Sequence, residues 1–576
     1  MIPTCINLPI TPVIPEIQKA LNIHSYAVLE APPGAGKTTF VPQALLDEPW
    51  LEGRKIIMLE PRRLATRAAA MRMAELVGEK PGQTIGYRTR MDSMVGPGTR
   101  IEVVTEGVLT RFLQEDPSLE GIGLLIFDEF HERSIHADLG LALALESQAV
   151  LRDDLKILIM SATLDGKSLA CLLGNAPVIT SRGRSFPVDT RYEPVSGFRG
   201  EAMNAYSVIS KVITKIRQVI KEEDGDILVF LPGASEIRRV DKELKISGMA
   251  EDILIYPLYA NLSKSEQDDA ISPSAKNKRK IVLATSIAET SLTIEGVRIV
   301  IDSGLMRVSR FSPVSGMSRL ETAEVSRAAA DQRRGRAGRL EDGVCYRLWS
   351  KTKILKAHSS PEIIEADLSS LALELALWGE KEPTRLRWLD VPPKSSMAHA
   401  GELLKLLEAI DDEGIITAYG KKMARLPLHP RFAHMVLKGK ELGLAPLACD
   451  IAAILSEKDM LRYERGHSDA DLRLRVDLLR NSRHLTPPGM ILDLGVLRRI
   501  KQLADQLRKK LGTGSINADS NQSGLLLAFA YPDRIAKKER AVLEIITWRV
   551  ERARTWTSMS HWPEIHTLLS PSLAVK

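Results

Sequence analysis

Residues 27–40 read AVLEAPPGAGKTTF. A short apolar run, a loop with two glycines and then helix-forming residues are the strand, loop, helix order that a phosphate-binding loop requires. Gly34 and Gly36 let backbone N–H groups close around an anion, and Lys37 has the length and charge to reach β and γ phosphate oxygens. Thr38 offers a hydroxyl to Mg²⁺ at the helix N-terminus, and Pro33, Ala35 and Thr39 complete the loop. Position 31, where the general G-x-x-x-x-G-K-T pattern has its first glycine, is alanine. A chance Gly-rich turn is therefore the competing reading until a second element supports the first.

That second element is LLIFDEFHER at 124–133, a continuous apolar strand ending in two acids. Asp128 is expected to bind Mg²⁺ and Glu129 to polarise an attacking water, because phosphoryl transfer needs charge neutralisation and an oriented nucleophile. Paired acids at strand ends are also common in ordinary loops; together with Lys37 they point to a nucleotide site. A third element, AADQRRGRAGR at 329–339, sets Arg333, Arg334, Arg336 and Arg339 among small residues. The spacing suits guanidinium groups aimed at a γ-phosphate, with Arg336 and Arg339 as arginine fingers and Gln332 positioning water. The alternative is a solvated basic surface or a patch that touches only nucleic acid.

Working outward, the same rhythm of short Val/Ile/Leu-rich run, polar loop and amphipathic stretch recurs at KIIMLEPRRLATRAA (55–69), IEVVTEGVLTRFL (101–113) and LKILIMSAT (155–163). It returns at ILVFLPGASEI (227–237), ILIYPLYANL (253–262), KIVLATSIAET (280–290) and VRIVIDSG (297–304). Buried parallel strands with crossover helices follow, in two successive α/β domains whose ligands bind at the carboxyl ends of strands. After about 355 the pattern turns to Leu/Ala-rich helices, with Leu403, Leu404, Leu407 and Ile410 on one face and a break at LPLHPR, 426–431.

A chain of 576 residues is too long for one core. Its 44% hydrophobic and 26% charged content excludes disorder, and no apolar run approaches a membrane span. The N-terminus lacks a basic n-region and apolar core, so a cytoplasmic location is expected. Cys5, Cys171, Cys345 and Cys449 form no CxxC pair, which argues against a zinc site or a disulfide framework. A net charge of +6 leans mildly toward a polyanionic partner without establishing one.

The ordered set APPGAGKT, PRR, TEG, DEFH, SAT, the region around ILVFLPG, TSIAETSLTI and QRRGRAGR resembles the eight motifs of the DExH/DEAH-box ATP-dependent RNA helicases of superfamily 2. DEFH followed by ER brings it nearest to the bacterial HrpB type. The resemblance implies two tandem RecA-like doubly wound parallel-sheet domains followed by winged-helix and helical-bundle regions. It implies ATP with Mg²⁺ as cofactors, other NTPs accepted, and RNA, single-stranded or duplex with an overhang, as partner, DNA being the open alternative. It places Arg62, Arg63, Thr105, Thr285 and Ser286 on the RNA backbone and makes Ser161 and Thr163 the link between nucleotide site and domain movement. It sets Ser291 and Glu295 beside Mg²⁺ or ribose, and His131 in a hydrogen bond across the cleft. The mundane alternatives are surface charge for the arginines, helix capping for the Ser/Thr residues and a structural role for His131.

The implied function is ATP-driven translocation on or remodelling of RNA, 3′ to 5′; the alternative is a nucleic-acid-stimulated ATPase clamp that never separates strands. Expected domains are 1–185 and 186–355 for the motor, 356–395 winged-helix-like, 396–515 helical bundle and 516–576 the start of a further module. In many DEAH relatives an aromatic residue stacks on adenine; here an aliphatic near Ile271 takes its place, so NTP selectivity should be loose. The resemblance fades after LLLAFAYPDRIAKKER (525–540), and a truncated or frame-altered end is expected there.

Overall fold

A computed structural model describes residues 8–535, apart from 90–91, 163–165, 182–185, 194–204, 249, 251, 261, 263, 275–277, 290–293, 313–315, 340, 464–468, 482–488 and 515–518. Among the described residues, those up to 367 together with 383–393 form one compact unit, and 368–382 with those from 394 to 535 form another.

The first unit holds two parallel sheets. Strands β1 (Tyr26–Glu30), β2 (Lys55–Glu60), β3 (Ile85–Arg88), β4 (Ser93–Met94), β5 (Ile101–Thr105), β6 (Ile122–Phe127), β7 (Lys156–Ser161) and β8 (Val178–Thr180) build the first sheet, in the order β4-β3-β5-β2-β6-β7-β1-β8. All pairings are parallel except β3 with β4. Helices α1 (Ile14–Ile23), α2 (Lys37–Ala44), α3 (Arg63–Leu76), α4 (Glu106–Glu115), α5 (Ile135–Val150) and α6 (Gly166–Leu172) connect and flank these strands. Every residue of β6 is buried, which is why its sequence is continuously apolar instead of alternating. Each such Ile or Leu contributes about 1.5–3 kcal/mol of burial.

The second sheet contains β9 (Val188–Tyr192), β10 (Asp226–Phe230), β11 (Ile253–Leu258), β12 (Arg279–Ala284), β13 (Val297–Asp302) and β16 (Gly343–Arg347), in the order β11-β12-β10-β13-β16-β9, all parallel. Between β13 and β16 an antiparallel hairpin stands apart, β14 (Leu305–Ser312) with β15 (Met317–Glu324). Helices α7 (Ala205–Glu222), α8 (Ala234–Ile246), α9 (Lys264–Ile271), α10 (Arg327–Arg334) and the single turn α11 (Glu362–Glu365) complete this part. Every apolar run read as a parallel strand is one. The hairpin and the strands β3, β4 and β8 escaped the pattern because they are short or half-exposed.

The other unit is helical: α12 (Ser369–Trp378), α13 (Lys394–Leu406), α14 (Ala418–Ala424), α15 (Pro430–Glu441), α16 (Ala445–Ser456), α17 (Leu472–Arg480), α18 (Leu494–Leu511) and α19 (Ser523–Ala530), with one antiparallel strand pair, β17 (Leu461–Tyr463) and β18 (Met490–Leu492). Pro430 opens α15, as a proline at the first helical position should. Buried Asp450 of α16 receives Arg480 at 2.9 Å and also Arg508, cross-linking three helices. Among the described residues no helix is long and apolar enough to cross a membrane.

Candidate active site

Strand β1 ends at Glu30, and the chain turns through Gly34 (φ +85°) and Gly36 (φ +94°) into α2. Both glycines sit in the left-handed region, which a side chain would strain. At Gly36 a Cβ would also lie 2.7 Å from the Leu8 side chain. Pro33 and Ala35 complete the turn, Ala35 accepting from the Ile10 N–H at 3.1 Å, and Thr39 lies in the first turn of α2. The loop therefore presents backbone N–H groups at a helix N-terminus, an anion cradle.

Strand β6 delivers Asp128 and Glu129 beside that cradle. Lys37 is buried and reaches Glu129 at 2.8 Å and Asp128 at 3.8 Å. Thr38 Oγ1 donates to Asp128 Oδ2. Burial alone would lower the Lys37 pKa, but Glu129 and then Asp128 outweigh it and raise it. For Glu129 burial pushes upward, yet Lys37 and His131 hold the carboxyl down at about 2. Asp128 is raised by burial against the pull of Lys37. Glu60, at the end of neighbouring β2, was not anticipated; burial and the charges of Asp128 and Glu129 push it well above the carboxylate range. Its signal was present, since KIIMLE is also an apolar strand ending in an acid.

His131 takes the Ala162 N–H on Nδ1 at 3.3 Å, and its Nε2 lies 3.3 Å from Glu129 Oε2. It thus joins the acids to the SAT segment within the first domain, not across the cleft as expected. Burial lowers its pKa to about 4, so it is neutral at physiological pH, consistent with Nδ1 accepting. Ser161 is fully buried at the end of β7, opposite Glu30, and its carbonyl accepts from the Ala31 N–H at 3.0 Å. Thr163 and Ser291 lie outside the described residues, as does the end expected to be truncated or altered in frame.

From the second sheet, α10 and the turn after it bring up the arginines. Arg333 is structural: fully buried, it pairs with Asp302 at 2.9 Å and Glu289 at 3.2 Å and lies over the Phe230 ring. Arg334 is exposed. Arg336 is buried, donates to the Glu289 carbonyl at 3.1 Å and is held well below its ordinary pKa by burial and by Arg339, with Glu129 opposing. Burial brings Arg339 down to about 10, again with Glu129 as the opposing charge. Both guanidinium groups therefore lie within electrostatic reach of Glu129 in the first domain, while Gln332 is half-buried on α10. Among the described residues, Glu129 Oε2, His131 Nε2 and Gln332 Nε2 are buried without an aligned hydrogen-bond partner. Open polar atoms flanked by lysine and arginine fit a polyphosphate and its water. Thr38 Oγ1 beside Asp128 supplies the hard oxygen donors that Mg²⁺ takes when phosphates complete its shell.

Among the described residues, no hydrogen bond or ion pair ties Glu295 to those above. It is exposed in the turn before β13, and its charged neighbour is Lys280.

Thr105 and Thr285 stand after β5 and β12, at helix N-caps where neither side chain makes a capping bond. The capping alternative for them is not realised. Arg62 pairs with Glu132 at 3.0 Å and donates to the Ile287 carbonyl at 3.4 Å, while Arg63 is exposed. A cleft of 1150 Å³ is lined by Arg62, His131, Ser286, Glu289, Gln332 and Asp390 among others.

Fold and site define a chain with two tandem RecA-like domains, a phosphate-binding loop and paired acids in the first and clustered arginines in the second. Comparison with known proteins matches residues 12–171 to the DEAD/DEAH box helicase family, 210–341 to the helicase conserved C-terminal domain and 402–428 to the helicase associated domain (HA2), winged-helix. The chain belongs to the DEAD/DEAH box helicases, and to the HrpB type within them. It is 46% identical over 534 residues to the ATP-dependent RNA helicase HrpB of Escherichia coli, covering 92% of this chain and 62% of that protein. The HrpA helicase of Borreliella burgdorferi is 35% identical over 80% of this chain and 57% of its own length. The crystal structure of Escherichia coli DEAH/RHA helicase HrpB superposes with a TM-score of 0.80 at 45% identity, over 93% of this chain and 64% of that one. The chain thus spans less than two thirds of these relatives.

Proposed function

We propose that this chain is an RNA helicase of the cytoplasm that hydrolyses ATP between its two RecA-like domains and uses the cycle to translocate on or remodel RNA, 3′ to 5′. The observation that carries the proposal is the meeting of its halves: the buried Lys37–Glu129 pair of the first domain lies within electrostatic reach of Arg336 and Arg339 of the second, and Arg62 bonds across to the Ile287 carbonyl at 3.4 Å.

ATP phosphates settle on the backbone of residues 33–39. Lys37 exchanges the Glu129 carboxylate for β and γ oxygens, which frees Glu129, with Gln332, to orient the attacking water. Arg336 and Arg339 stabilise charge on the transferring phosphoryl group. Thr38 and Asp128 would hold Mg²⁺, which supplies charge neutralisation at the phosphates. His131, through the Ala162 amide, passes the state of Glu129 to the SAT segment, with Ser161 and Thr163 as coupling residues. Half-buried Ile271 at the end of α9 offers no aromatic stacking face for a base, so several NTPs should be accepted.

RNA lies along Arg63, Thr105, Thr285 and Ser286, with Arg62 joining when it leaves Glu132. Contacts to phosphate position a strand without reading its sequence. The printed description of the Escherichia coli relative, an ATP-dependent RNA helicase, supports RNA over DNA as the substrate. We take 1–185 and 186–355 as the motor domains and place the winged-helix element at 402–428, where the HA2 match falls, instead of at 356–395.

The test is hydrolysis with and without single-stranded RNA, beside strand displacement on a duplex with a 3′ overhang. RNA-stimulated hydrolysis with displacement is expected. Stimulation without displacement would favour a clamp, and hydrolysis indifferent to RNA would end the helicase reading.

A further inference from the structure

Eleven residues of the chain are out of place by sequence. Residues 383–393, PTRLRWLDVPP, belong to the unit that holds the two sheets, although the described residues before and after them, within 368–382 and 394–535, belong to the helical unit. The segment is a strap that leaves the helical unit, visits the motor and returns. Leu386 and Trp388 are its buried anchors, and prolines at 383, 392 and 393 limit its backbone freedom. It is fastened to the first domain at two points. Exposed Arg387 donates to the Leu145 carbonyl on α5 at 2.9 Å, and Asp390 receives Arg133 Nη2 at 2.7 Å.

Arg133 is four residues past Glu129 and two past His131. It is buried, in the left-handed region at φ +50°, and grips Asp138 of α5 with Nε at 2.9 Å and Nη2 at 3.1 Å. Its carbonyl accepts from the Glu362 N–H at 3.0 Å, and the Glu362 carboxylate accepts from the Ile135 N–H, also at 3.0 Å. One arginine at the end of the acid motif therefore binds the start of α5, the strap and the chain leading toward the helical unit.

We propose that Arg133 and Asp390 are positioning residues that couple the nucleotide site to the RNA-binding residues, Asp390 lining the same cleft as Arg62 and Ser286. A shift of Glu129 and His131 on nucleotide binding is carried through the single turn at 130–132 to Arg133, and from there to the strap. The inference rests on the RNA-dependent ATPase reading above. Residues that couple two sites without touching either ligand change the dependence of one site on the other more than the site itself.

The experiment measures hydrolysis without RNA and with saturating poly(U), and nucleotide affinity with a fluorescent ADP analogue, for the full chain and for Asp390→Asn, Asp390→Glu and Arg387→Ala. Asp390→Asn should keep RNA-free hydrolysis and nucleotide affinity within about twofold and lose about tenfold in RNA stimulation. Asp390→Glu, which keeps the charge, should recover most of it. Arg387→Ala, a change at an exposed side chain that leaves Arg133 intact, should show the same split at smaller amplitude. Asp390→Asn stimulated like wild type overturns the proposal, as does a proportional fall of both rates, which marks a structural role. If Asp390→Asn does not fold, unaltered stimulation in Arg387→Ala overturns it. Wild type indifferent to RNA instead overturns the helicase reading, and the coupling with it.

Discussion

Lys37 does two jobs that a single substitution separates. As the cation of a buried cluster it neutralises Glu129 and Asp128, and as the loop lysine it is the group that reaches the phosphates. Lys37→Ala should abolish ATP hydrolysis. It should also destabilise the nucleotide-free protein by roughly 3 kcal/mol, because breaking a buried pair leaves an uncompensated charge. A melting curve and a steady-state assay check both, and turnover like wild type would remove the phosphate-loop assignment. Glu106, beside Thr105, makes a second prediction at this scale. Burial raises its carboxyl to about 8, although Ser134 Oγ donates to it at 2.6 Å; Glu132, Glu362 and Asp138 add to the rise. Between its ordinary value of 4.5 and about 8 the unfolded chain has lost a proton that the folded chain keeps, so unfolding releases it and stability falls as pH rises through that window. Below the window both states are protonated and the penalty is absent; above it the penalty is full. Glu106→Gln should therefore melt higher than wild type by a margin that widens from about pH 5 to about pH 8. A margin constant with pH would show that Glu106 does not carry the slope.

At the scale of elements, α10 and the turn after it carry the second half of the site, and the arginines there divide by burial and partner. Arg333 is locked between Asp302 and Glu289, whereas Arg336 and Arg339 feel the charge of Glu129. Arg339→Ala should leave nucleotide binding close to wild type, since Lys37, Thr38 and Asp128 remain. Turnover should drop by about a thousandfold, the scale on which arginine fingers act. Titration of nucleotide affinity paired with the ATPase rate on saturating RNA reads both. Near-normal RNA-stimulated turnover would mean that Arg339 is never delivered to the γ-phosphate. The elements also show where sequence patterning stops. KIIMLE, LLIF and ILVFL are legible as strands because strands buried on both faces must be continuously apolar. The β14–β15 hairpin is not, because its residues are largely exposed and alternate without an apolar face.

For the whole molecule, the net charge of +6 is too small to mark a binding surface. The strand is expected to be held by a limited set of phosphate contacts at the carboxyl edges of the two sheets. RNA affinity should then fall steeply with salt, as each neutralised phosphate releases counterions. Measured across a salt series, log affinity against log salt should be linear with a clearly negative slope and should be the same for unrelated sequences. A flat line would point to a partner other than nucleic acid.

The sequence by itself determined the two α/β domains, the phosphate loop, the acid pair and the arginine cluster, because each is a local pattern: a strand period, a glycine spacing, a charge at a strand end. Tertiary structure decided what depends on distant residues meeting. It tied His131 to Ala162 within one domain, left Glu295 exposed in the turn before β13 and made Arg333 a strut. It also set Glu60 beside Asp128 and carried the strap at 383–393 back to Arg133. Linear spacing records which groups a loop contains, whereas burial and the pairing of charges 30 to 260 positions apart are fixed only when the sheets close around them.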